Sequence, residues 1–202
     1  MTGPQSRALA VHPAASRHAA WLNDVLVVGA ASLFVALSAR VTLPLPMTPV
    51  PLTLQNFAVL LVGLVLGSRR GAVALALYLA EGALGFPVFN PTGPGGLAQL
   101  LGPTGGYLVA YPLASWTAGA IAGPRCIRFA RALLAAVAAD TVLFAGGIAW
   151  LFLLTGSLAQ ALTGGLFFFV FAEVIKVMFA AAISTRVARR FEPRPTHPPS
   201  LA

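Results

Sequence analysis

The chain has 202 residues, 58% hydrophobic and only 9% charged, with thirteen Lys and Arg against five Asp and Glu for a formal net charge of +8. A soluble domain carries about 25% charged residues, so this composition excludes a water-exposed surface all round and predicts an integral membrane protein. The basic excess sits between apolar segments and in the tails, as expected of cytoplasmic loops and not of a nucleic-acid binder; the one cysteine, Cys126, excludes an internal disulfide, and His12, His18 and His197 all lie in the tails.

Residues 1–20 are small, polar and basic. They lack the apolar core of a signal peptide and are expected to form a disordered cytoplasmic tail. Trp21–Leu43 follows, long enough to span at roughly 20 residues. Within it Ser32 and Ala36 form a small-xxx-small pair that lets another helix pack closely. Pro44–Pro51 holds four prolines in eight residues. Proline fixes φ and removes a donor, so this is a stiff extended connection. Thr53–Gly67 is a second, slightly short span, with Gln55 and Asn56 at its outer end. Ser68-Arg-Arg-Gly71 reads as a tight basic turn on the cytoplasmic side.

Gly71–Phe86 is the third span and carries Glu81. The stretch Phe86–Tyr107 is rich in Pro and Gly and has no formal charge. Unpaired backbone is too costly in hydrocarbon for such a segment to face lipid. It must be buried in protein or line a cavity, so it is the expected roof or wall of a ligand site. Gly105–Gly123 is the fourth span, with Tyr107 and Tyr111 near its outer end. Arg125, Arg128 and Arg131 mark a second cytoplasmic connection. Ala132–Leu154 is the fifth span, with Asp140 inside it. Thr155–Gly165 is an outer loop. Leu166–Thr185 is the sixth span, with Glu173 and Lys176, and an Arg-rich tail closes the chain.

The tails and the connections before spans three and five hold nearly all the basic residues. The outer side holds only Arg40. By the positive-inside rule the expected fold is all-α: a bundle of six transmembrane helices with both termini cytoplasmic. Residues 21–190 form one transmembrane unit between tails at 1–20 and 191–202.

Ionisable groups inside spans are expensive and mark functional candidates. Glu173 and Lys176 are spaced i,i+3 and share a helix face. They are either an internal ion pair that fixes helix rotation or the lining of a polar cavity. Asp140 either faces that cavity or receives an Arg from the inner side. Arg40 either snorkels to the interface or attracts an anionic ligand. With Gln55, Asn56, Asn90 and Tyr107, the polar residues concentrate in the outer half. A carboxylate with amides suits a neutral group with paired N–H donors and a carbonyl; Lys, Arg or Tyr suits a carboxylate tail. That is the pattern of an apolar pocket with few polar anchors. No phosphate-binding loop GxxxxGK followed by Ser or Thr occurs, and no cofactor is expected.

Several motifs in order carry a resemblance: Pro49-Val-Pro-Leu-Thr-Leu-Gln55, Leu60-Leu-Val-Gly-Leu-Val-Leu-Gly67, Gly82-Ala-Leu-Gly-Phe-Pro-Val-Phe89, Gly95-Gly96 and Leu101-Gly-Pro-Thr-Gly-Gly-Tyr107. From about Ala30 to Arg190 the chain resembles the BioY family, the substrate-binding S components of energy-coupling-factor biotin transporters. The resemblance implies six helices, biotin as substrate in an outward-facing pocket, membrane lipid around it, and partners in a transmembrane coupling protein and ATP-binding subunits. Self-association stays open. It implies that Ser32 and Ala36, in place of the family's Ala-xxx-Ala, contact the coupling protein. Phe171-Ala-Glu173-Val-Ile-Lys176 stands where the family has Pro-Gly-Asp-x-x-Lys, which implies ligand contact by Glu173 and Lys176 and, in the loop, by Asn90. Biotin's ureido ring would meet Asn90 and Glu173, and its valerate would lie near Lys176, Tyr107 or Arg40. The alternatives are an S component for another small vitamin, a membrane enzyme using Asp140, Glu173 or Glu81, and a structural subunit. The lack of intramembrane His and of HExxH spacing argues against the enzyme.

Overall fold

The computed structural model describes residues 13–124 and 128–191. Cys126, Arg125, Arg194 and most of both expected tails lie outside them. The described chain is predominantly helical. Helix α1 (Pro13–Ser38) is followed by a two-residue antiparallel ladder, β1 (Thr42–Leu43) on β2 (Leu52–Thr53), then by α2 (Gln55–Leu66) and α3 (Ser68–Ala83). A short α4 (Gly96–Leu101) precedes α5 (Gly105–Ala122) and α6 (Phe129–Thr155). A short α7 (Leu158–Leu162) runs into a π-helical turn (Thr163–Phe167), and α8 (Val170–Arg190) closes the bundle.

Several boundaries differ from expectation. Helix α1 starts at Pro13, so residues 13–20 are helix and not tail; proline is at home in a helix's first turn, where its missing N–H is not needed. The Pro-rich connection is folded back as a hairpin loop by the β1–β2 pair. The expected basic turn at Ser68–Gly71 is the first turn of α3. The break between α2 and α3 is Gly67 alone, at φ 81°, a conformation glycine adopts at little cost. The expected outer loop Thr155–Gly165 contains α7 and most of the π-helical turn. That turn meets α8 at a 48° bend.

Among the described residues, Ala19–Ser38 of α1 and α6 are long and apolar enough to cross a membrane. The bent α7–α8 segment makes a third such span if taken as one. One inner seam of the bundle is built mostly of small residues, and many large apolar residues face outward. Ala118, Ala122, Ala132, Ala135, Ala136, Ala139, Ala180 and Ala181 are buried in one seam with Leu60 and Leu64. Leu26, Leu33, Leu113, Leu153, Phe171 and Phe179 are exposed. Between helices in lipid no water drives association, so close backbone approach and dispersion hold the bundle, and small residues permit both.

Helix α5 is the central element, packed on α6, α3 and α2, while α8 packs on α2 and α6. At the α5–α6 contact a Cβ on Gly106 would overlap Trp150, and one on Gly147 would overlap the Tyr107 ring. At the α2–α5 contact a Cβ on Gly63 would overlap the Ser115 carbonyl oxygen. These approaches bring the polar side chains of α2, α5 and α8 together at one end of the bundle. Gly106→Val is expected to destabilise by about 1–3 kcal/mol, the usual cost of overpacking. Gly29→Ala, whose Cβ meets nothing within 4 Å, should not lower the unfolding midpoint and should raise it slightly, alanine being the better helix former. Thermal unfolding in detergent, followed by tryptophan fluorescence, checks both.

Candidate functional site

Glu173 lies in the first turn of α8, where the partial positive charge of a helix N-terminus favours a carboxylate. It is buried, with 4% of its surface exposed. Its Oε1 accepts from Lys176 Nζ at 2.7 Å and from Asn56 Nδ2 at 3.1 Å. Asn56 Oδ1 accepts in turn from the Tyr111 hydroxyl at 3.1 Å. Helices α5, α2 and α8 are thus joined by one chain of hydrogen bonds that ends on one carboxylate oxygen. The other, Oε2, is buried and has no partner. Glu173 and Lys176 form a buried ion pair, and of the two it is Glu173 that lines a cavity.

The cavity beside Glu173 is about 30 Å³ in volume, and Gln55, Asn56, Asn90, Tyr107 and Tyr111 line it too. That is room for a water or two. Its roof comes from two places: Val50, Pro51 and Thr53 of the hairpin, and Asn90 and Thr104 of the stretch between α3 and α5. Side chains tie both roofs down. Gln55 Nε2 donates to the Tyr78 hydroxyl at 2.7 Å, and that hydroxyl donates to the Val88 carbonyl at 3.2 Å. Phe89 packs edge-on against Tyr78, ring centroids 5.4 Å apart. Trp150 Nε1 donates to the Gly102 carbonyl at 2.9 Å. The Tyr107 hydroxyl donates to the Gly165 carbonyl at 2.6 Å, and Thr48 Oγ1 donates to that of Gly164.

The expected site residues divide into two groups. Glu173, Asn90, Gln55 and Tyr107 converge on the cavity. Lys176 is buried behind Glu173 and acts through it. Arg40 is exposed and lies outside the cavity lining. Ser32 and Ala36 point into the bundle: Ser32 is 1% exposed and its Oγ donates to Glu81 Oε2 at 2.6 Å, and Ala36 is buried. Within this chain Glu81 is the polar neighbour of Ser32. Asp140 lines an open, mostly apolar groove along α6 and α8, walled by the exposed Val137, Val170, Val174 and Met178, which Glu173 also reaches.

Asn56 and Tyr111 were legible only as polar residues near span ends. Their role rests on contacts across 117 and 55 residues. The available signal was the Gln55-Asn56 pair itself. Neighbours on a helix point about 100° apart, so the two amides address different partners, Tyr78 on α3 and Glu173 on α8.

Comparison with known proteins puts this geometry in a family. Residues 10–193 match the BioY family. A probable biotin transporter BioY from Pyrococcus horikoshii is 38% identical over 77% of this chain and 92% of its own length. The biotin transporter BioY of Thermotoga maritima is 34% identical over 83% of this chain and 97% of its own. The chain belongs to the BioY family. A solved structure of the S-component for biotin from an ECF-type ABC transporter has the same fold, with TM-score 0.76 at 22% identity over 89% of this chain and 95% of that one.

For this BioY-family chain the buried pair makes a sharp demand. Removing Lys176 leaves a carboxylate buried without its counter-charge. Lys176→Met should destabilise by about 3–5 kcal/mol, as for other broken buried pairs. Adding Glu173→Gln should restore most of that loss. Unfolding in detergent of the two variants, single and double, checks the sign of the rescue.

Proposed function

We propose that the chain binds biotin and serves its uptake across the plasma membrane as the S component of an ECF-type transporter. The observation that carries this reading is the state of Glu173. One oxygen is fixed by Lys176 and Asn56, and the other is buried, unpartnered and beside the cavity. A carboxylate held in this way is prepared to accept a N–H donor. Biotin's ureido ring offers two such donors and a carbonyl between them. Asn90 from the loop supplies an amide to the same ring, and Gln55 and Tyr107 complete the polar wall. Phe144, Phe169 and Leu108 give the apolar body its surface.

In this reading six helices cross the membrane and both termini are cytoplasmic, the orientation that the arginine distribution favours. Residues 21–190 act as one binding unit. The exposed large apolar side chains meet lipid. With no phosphate-binding loop of its own, the chain takes its energy from ATP-binding subunits through a transmembrane coupling protein. A coupling protein that docks on α1 meets the exposed Leu26, Leu33 and Leu37 before it meets Ser32 or Ala36. Arg40, exposed beyond the cavity, draws an anionic substrate towards the outer face.

A cavity of 30 Å³ is far below the roughly 300–1,000 Å³ of a small-molecule site. Binding therefore requires the roof to move. Isothermal calorimetry of the full chain in detergent should show biotin binding. Glu173→Gln should weaken it at least tenfold, about 1.4 kcal/mol, because an amide presents a poorer acceptor. Heat with another vitamin and none with biotin would reassign the substrate.

A further inference from the structure

A second cavity adjoins the first. It is about 140 Å³ and lies at the seam between the hairpin, at Pro49 and Pro51, and the loop from Asn90 to Thr104. Pro51, Asn90 and Thr104 line both cavities. The two are chambers of one space, divided by the side chains they share. The first chamber ends on a free acceptor, Glu173 Oε2. The second has Gln99 in its wall.

Gln99 is 1% exposed. Its Oε1 accepts from the Gly95 N–H at 3.1 Å. That bond fixes which end of the amide is which, because the nitrogen could not accept there. Gly93 packs directly on the amide; a Cβ at that position would come within 2.7–2.9 Å of its atoms. The side chain is thus held in place, and its Nε2 is buried with no partner. A buried donor left unpaired costs about 1–3 kcal/mol. Nothing about loop closure needs that nitrogen, since the Oε1 bond alone clasps the turn.

We propose that Gln99 is a substrate-binding residue whose Nε2 donates to a carboxylate oxygen at the far end of the substrate. This rests on the biotin reading above and reassigns the valerate. The tail runs into the second chamber under the Asn90–Thr104 loop, away from Lys176, Tyr107 and Arg40. The arrangement is consistent from end to end. N–H donors of the ring meet an acceptor in one chamber, and an oxygen acceptor of the tail meets a donor in the other. Lys176 is already committed to Glu173 at 2.7 Å.

Gln99→Glu tests this with little change of side-chain shape. The variant keeps an oxygen for the Gly95 N–H and replaces the donor by a second acceptor. By calorimetry on the full chain in detergent, its affinity for biotin should fall at least tenfold. Its affinity for a ligand with the same fused ring and a plain alkyl tail should match that of the unaltered protein. A carboxylate at this buried position lowers ligand-free stability, so both affinities are measured where the variant is fully folded, as its unfolding curve establishes. Equal biotin binding by the variant and the parent overturns the assignment. So does an equal loss for both ligands, which would make Gln99 a residue of the loop only. If the unaltered protein binds no biotin, the proposed function fails, and this assignment goes with it.

Discussion

The structure depends on keeping one carboxylate inside an apolar bundle. An ion moved from water into a low-dielectric interior loses several kcal/mol of solvation. In this chain three provisions offset that loss for Glu173. It sits at the N-terminal turn of α8, it faces an ammonium one turn on, and it accepts an amide from α2. Remove any of these and burial becomes harder to sustain. All three act on the same oxygen or on the helix end, so the second oxygen is left over. A purely structural ion pair would gain from satisfying both.

That provision constrains the packing around it. Asn56 reaches Glu173 only if α2 and α8 run close, and Tyr111 reaches Asn56 only if α5 lies against α2. The alanines of the inner seam and the glycine contacts at Gly63, Gly106 and Gly147 allow those separations. Larger residues there would widen the bundle, and its polar side chains would lose one another. Many large apolar residues are on the outside, where lipid accepts them at no cost, while others such as Leu75, Leu143 and Phe144 fill the second inner cluster. The alanine seam has two results: a bundle stable in hydrocarbon and a polar site at one end of it.

This logic explains which parts of the molecule could be read from the chain alone. The apolar runs, the arginine clusters and the Pro/Gly stretch are local, and each carries its meaning in its own composition. Glu173 and Lys176 announced themselves because charge is rare in such a sequence. Gln55, Asn90 and Tyr107 followed from their position under the same end. Ser32 and Ala36 were less legible, because smallness says that something packs closely but not what; within this chain the neighbour of Ser32 is Glu81. Helix ends were displaced by features of single residues, Pro13 at a start and Gly67 at a break. The partner of Asn56 is 117 residues away, and no local pattern encodes such a distance.

The broken segment before α8 shows how the roof and the bundle are joined. A helix that bends must leave some carbonyls without their usual donors, and in hydrocarbon each would be costly. Here Gly164 and Gly165 offer two such oxygens, and they are taken by Thr48 of the hairpin and Tyr107 of α5. The bend is therefore stabilised by the elements that close the cavity. The hairpin depends on it in return, since its own ladder is only two residues long on each strand. The Asn90–Thr104 side is anchored differently, through the Tyr78–Val88 and Trp150–Gly102 bonds to α3 and α6. The two halves of the roof thus have separate attachments and come together over the two cavities. A roof built this way can part along its seam without disturbing the chain of bonds that holds Glu173.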